Sequence, residues 1–62
     1  MLHYYRVERD REKRYVVSIY YKNFLGMLKE MHYSVHDAPK DVNAVIMYYK
    51  SRGYHLQSIA TA

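Results

Sequence analysis

Sixty-two residues without a single cysteine leave this chain few ways to reinforce itself. A domain of that length buries only about 60% of the surface its unfolded chain exposes, and very small folds usually add disulfides, a structural metal or a second subunit. Neither a disulfide framework nor the Cys/His spacing of a zinc site is present. The length accommodates one core, so residues 1–62 are expected to form a single domain. A homodimer interface is the expected supplement to that core.

Apolar residues make up 50% of the chain, but nine of them are Tyr, whose hydroxyls need water or a partner. The remainder is still enough for a globular core, and a net charge of +4 is too small to keep the chain unfolded. No run approaches the 18 or more consecutive apolar residues of a membrane span. The N-terminus also lacks a basic region followed by an apolar run and a cleavage site. The expected setting is the cytoplasm, with no membrane partner; the absence of thiols fits a reducing compartment.

Residues 2–7 alternate and are rich in Tyr, and residues 14–21 (RYVVSIYY) are β-branched and aromatic without Gly or Pro. Both read as strands joined by a polar hairpin turn. Centring that turn on Asp10-Arg11 sets Glu8 opposite Lys13 and Arg9 opposite Glu12, two opposite-charge pairs. In that register Leu2, Tyr4, Tyr15, Val17, Ile19 and Tyr21 share one face. The other face carries His3, Tyr5, Val7, Arg14, Val16, Ser18 and Tyr20.

From Asn23 the spacing of Phe24, Met27, Leu28, Met31 and Val35 matches a helical period of 3.6, with Asn23 as N-cap and Gly26 as an internal cost. A second helix is expected after His36-Asp37-Ala38-Pro39, with Pro in its first turn. Its apolar stripe is Val42, Val45, Ile46 and Tyr49, its last turn holds Lys50 and Arg52, and Gly53 is placed as a left-handed C-cap. Residues 54–60 read as a third strand beside the hairpin. The expected fold is therefore α+β: a small three-stranded antiparallel sheet with two helices on one face, in the order ββααβ.

Function is argued from what such a fold leaves uncovered. Helices on one side of the sheet would leave Tyr5, Val7, Val16 and Tyr20 in water, and Met47 and Tyr48 lie off the apolar stripe of the second helix. A patch of this kind marks an interface, and Met and Tyr suit one. The leading expectation is a non-catalytic protein-interaction module, homodimeric, acting as a small regulator or inhibitor of a larger protein. The alternative is a small basic nucleic-acid-binding module in which Arg6, Arg11 and Arg14 of the hairpin neutralise phosphates and the sheet tyrosines Tyr5 and Tyr20 stack on bases.

His32 and His36, four apart, would share one face of a helix, with Asp37 adjacent, but no glutamate motif, cysteine or clear third ligand accompanies them. No metal and no cofactor is expected. There is no nucleophile elbow, phosphate-cradling loop or carboxylate pair, so no catalytic residue is assigned; His3 and His55 remain conceivable general bases.

Overall fold

The computed structural model of the chain describes residues 2–59. Four strands, β1 (Leu2–Arg9), β2 (Tyr15–Lys22), β3 (Leu28–His36) and β4 (His55–Ser58), surround one helix, α1 (Pro39–Ser51), in the chain order βββαβ. The sheet order is β3-β2-β1-β4. Two successive antiparallel pairings, β1 with β2 and β2 with β3, make β3 run in the same direction as β1. Helix α1 then carries the chain back to the opposite edge, where β4 pairs parallel to β1. The fold is thus a four-stranded mixed sheet with one helix, and the expectation of a three-stranded antiparallel sheet carrying two helices is overturned.

The helix expected from Asn23 is instead a turn followed by β3. Asn23 does act as a cap, but of a turn: its side-chain oxygen accepts the backbone N–H groups of Leu25 and Met27 at 2.9 and 3.0 Å. Gly26 sits at φ 78°, a left-handed conformation that Gly adopts without steric cost and that reverses the chain rather than continuing a helix. Beyond it, β3 alternates, with Tyr33 and Val35 opposite Ser18 and Val16 on one face, and His32, Ser34 and His36 opposite Ile19, Val17 and Tyr15 on the other. Met31 is the extra residue of a bulge between the Ile19 and Tyr20 pairings.

The first hairpin forms where expected, in a different register. Tyr5 faces Ile19, Val7 faces Val17 and Arg9 faces Tyr15. The pairs Glu8 with Lys13 and Arg9 with Glu12 do not form. The reason lies in Asp10, whose carboxylate gathers the backbone N–H groups of Glu12 and Arg14 at 2.9 and 2.8 Å, building a five-residue turn over residues 10–14 with Lys13 at φ 64°. The slip is an odd number of residues, so β1 turns over relative to β2. Tyr5 and Val7 join the helix side of the sheet, and Val16 and Tyr20 the outer side.

Helix α1 matches its expected form. Pro39 opens it after Ala38, whose extended backbone marks the N-cap, and Gly53 follows it at φ 91°. Its stripe of Val42, Val45, Ile46 and Tyr49 packs on Val17 and Ile19, with Tyr5, Tyr15 and Leu56 around them. Val17, Ile19 and Val42 are the buried apolar residues of this core. Of the strand expected over residues 54–60, His55–Ser58 is β4, and Ala60 lies outside the described residues.

Candidate functional site

Among the described residues one helix covers one face of the sheet, and no element covers the opposite face. By register that face carries Tyr4, Arg6 and Glu8 from β1, Val16, Ser18, Tyr20 and Lys22 from β2, and Leu28, Glu30, Tyr33 and Val35 from β3. Arg6 lies in its middle: its guanidinium sits 5.9 Å from the Tyr20 ring and 3.7 Å from the Glu8 carboxylate. Its Nε is buried and has no hydrogen-bond partner among the described residues, which costs free energy. Lys22 lies over the Tyr4 ring at 5.3 Å on the same face.

The proposed interface residues therefore divide. Val16 and Tyr20 are half-buried on the outer face; Tyr5 packs against the core beneath the helix, and Val7 sits on the helix side beyond the helix's reach. Met47, 63% exposed, and Tyr48 project from α1, where Arg52 stacks on Tyr48 at 5.2 Å.

Sequence reasoning missed a run of exposed apolar residues because it placed them in a helix. Phe24, Leu25, Met27, Leu28, Met31, Tyr33 and Val35 are all exposed, Phe24 to 94%. They occupy β3 and the turn that precedes it. The alternation of Met31, Tyr33 and Val35 with His32, Ser34 and His36 was the available signal.

Between α1 and β3 runs an open groove of about 350 Å³, lined by His32, His36, Asp41, Ala44, Val45, Tyr48 and Tyr49. Along β3 the strand period puts Ser34 between the two lining histidines. Its Oγ lies 2.7 Å from Nε2 of both His32 and His36, and Nδ1 of His32 lies 3.1 Å from the Tyr49 hydroxyl. A neutral His32 completes the chain in one direction or the other: if the Tyr49 hydroxyl donates to Nδ1, Nε2–H donates to Ser34, which donates to His36. Burial, then the neighbouring His36, pushes the His32 imidazole below its ordinary range and so favours that neutral form. Burial likewise raises the Tyr49 phenol, which stays protonated. The two histidines thus meet along a strand rather than a helix. Among the described residues no three His, Asp or Glu side chains gather closely enough to hold a metal ion. His55 lies on β4 at the far edge of the sheet, and His3 is buried beside the Tyr54 ring, 4.6 Å away.

Of the hairpin arginines, Arg14 is committed to acids. It pairs with Asp10 at 2.9 Å and Glu12 at 3.3 Å; the backbone N–H and guanidinium of Arg14 hold the Asp10 carboxyl below its usual range, and Asp10 raises Arg14. Arg11 is exposed at the turn, and Arg6 stands apart on the outer face. No helix among the described residues is long and apolar enough to cross a membrane. No protein-family model matches the chain, and no curated protein or solved structure matches it either.

Proposed function

We propose that this chain is a non-catalytic protein-interaction module that regulates or inhibits a larger protein by docking its bare sheet face on it, in the cytoplasm. The observation that carries this reading is the uncovered sheet face, on which Arg6, paired with Glu8 and set against Tyr20, shares the surface with half-buried Val16 and exposed Tyr33 and Val35. Tyr and Arg surrounded by apolar groups are the residues on which binding energy concentrates at protein interfaces. The partner is inferred to present an acidic or carbonyl group to Arg6 within an apolar rim.

A photo-cross-linker introduced at Tyr20 in the native cell tests this. The expected result is one protein captured from Tyr20 and not from Lys50 on the helix, with capture lost in Arg6→Glu. Adducts that are absent, or the same from both positions, would refute it.

Nucleic-acid binding is the second reading, favoured by the placing of Arg6 against Tyr20 and of Lys22 against Tyr4 on that same face. The commitment of Arg14 to Asp10 and Glu12 weighs against it. It requires single-stranded DNA or RNA to bind at low salt, with affinity falling steeply as salt rises.

A further inference from the structure

We propose that two copies of this chain pair antiparallel along the outer edges of their β3 strands, each placing Phe24 of its β2–β3 turn in the groove between α1 and β3 of the other. The pairing deepens the reading of the chain as an interaction module and rests on it; the larger protein's docking face remains the outer sheet surface.

Three observations lead to a second copy as the occupant. The first is the edge itself. Strand β3 runs nine residues with no strand beside its outer edge among the described residues, whereas the strand at the other edge, β4, has only four residues. Proteins guard exposed edges with short strands, proline, bulges or charges; β3 has the Met31 bulge and the adjacent Lys29 and Glu30 near its start, but no proline, and residues 32–36 beyond the bulge form a regular edge without Lys, Arg, Asp or Glu.

The second is area. With side chains of roughly 150–220 Å² each, the exposed fractions of Phe24, Leu25, Met27 and Met31, with Tyr48 of the groove, amount to on the order of 600 Å², leaving aside Leu28, Tyr33 and Val35 on the outer face. A stable dimer needs about 800 Å² per subunit, and the paired backbone edge of β3 would supply the difference.

The third is charge. The chain carries +4 overall, yet from Phe24 to Val35 the formal charges cancel, so two cationic copies can meet there without opposing like charges.

Geometry then assigns the groove. A twofold antiparallel pair sets the start of one strand beside the end of the other. Strand β3 starts at Leu28, directly after the turn, and ends at His36, three residues before Pro39 opens α1. The turn of one copy accordingly falls beside the groove end formed by His36, Asp41, Ala44 and Val45 in the other, where about 350 Å³ with apolar walls accommodates an aromatic ring.

Sedimentation velocity on the full chain from about 1 to 100 µM tests the pairing. Reversible dimerisation is expected, and Phe24→Ala should weaken it at least about tenfold with an unchanged circular dichroism spectrum, because Phe24 is 94% exposed in its own subunit. In a chain without native cysteines, Leu25→Cys with Ala44→Cys should form a disulfide between copies, and Leu25→Cys with Gln57→Cys, on the opposite edge, should not. A folded monomer at every concentration, or a dimer indifferent to Phe24→Ala, would overturn the pairing. Either result leaves the cross-linking from Tyr20 standing on its own, and loss of that cross-linking with the dimer intact sinks only the larger partner.

Discussion

Replacing Ile19 by Ala tests the core on which both surfaces depend. Ile19 is completely buried at the centre of β2, opposite Tyr5 and beside Val17 and Val42. Removing three carbons forfeits about 2.4 kcal/mol of transfer free energy at roughly 0.8 kcal/mol per group. The unfilled part of the cavity brings the cost to about 3–4 kcal/mol. A chain of 62 residues has on the order of 3–9 kcal/mol to lose, so this substitution should remove between a third and all of its stability. Ile19→Val, expected to cost about 1 kcal/mol, provides a folded reference if the Ala variant unfolds. The assay is urea denaturation followed by circular dichroism at one fixed protein concentration, with Val16→Ala on the outer face as comparison. An Ile19→Ala cost below about 1 kcal/mol, or one smaller than that of Val16→Ala, would refute the assignment of faces.

Acidification should destabilise the fold in the window just below the ordinary histidine value of 6.5. His32 titrates lower when folded, so the unfolded chain binds the proton first. Stability present at neutral pH is therefore lost as pH falls through that range, and His32→Gln should flatten this part of a pH-dependent melting curve. Ser34→Ala removes the hydroxyl shared by two imidazoles and should cost about 1 kcal/mol by denaturation. Gly26→Ala places a side chain at φ 78° and should cost about 1 kcal/mol by the same measurement, although the space around it is open. Asp10→Ala should lower the melting temperature more than Glu12→Ala, because Asp10 accepts two backbone N–H groups and the Arg14 side chain.

Legibility in the sequence followed the number of independent signals that agreed. Helix α1 was read correctly because Pro39, the stripe of Val42, Val45, Ile46 and Tyr49, and Gly53 all specify the same element. Strands β1 and β2 were found to within two residues at each end from their Tyr and β-branched content. Strand β3 was misread because Phe24, Met27, Leu28, Met31 and Val35 satisfy a helical period by coincidence, and because an Asn side chain caps a helix or a turn with the same oxygen. Only Gly26, a cost in a helix and an asset in a left-handed turn, separated the two. The register escaped for a related reason: opposite charges around the hairpin favour a short turn on paper, but a carboxylate that satisfies two backbone donors outweighs exposed cross-strand ion pairs. That single slip split the expected patch, leaving Val16 and Tyr20 outside and taking Tyr5 inside.

The topology itself explains why so small a chain leaves so much apolar surface uncovered. One helix of 13 residues can cover one face of four strands, and it must also return the chain from β3 to the far edge, so it cannot shield the edge it departs from. The long strand that begins the crossover is therefore left open, and the strand that ends it at the opposite edge is short. A chain whose buried core includes Val17, Ile19 and Val42 has little stability to spare for exposed Phe, Leu and Met. In a monomer that surface is an aggregation hazard. Antiparallel pairing of β3 with its own copy would convert the hazard into a continuous eight-stranded sheet, doubling the outer face that carries Arg6. A dimer would then serve both stability and binding through one exposed edge.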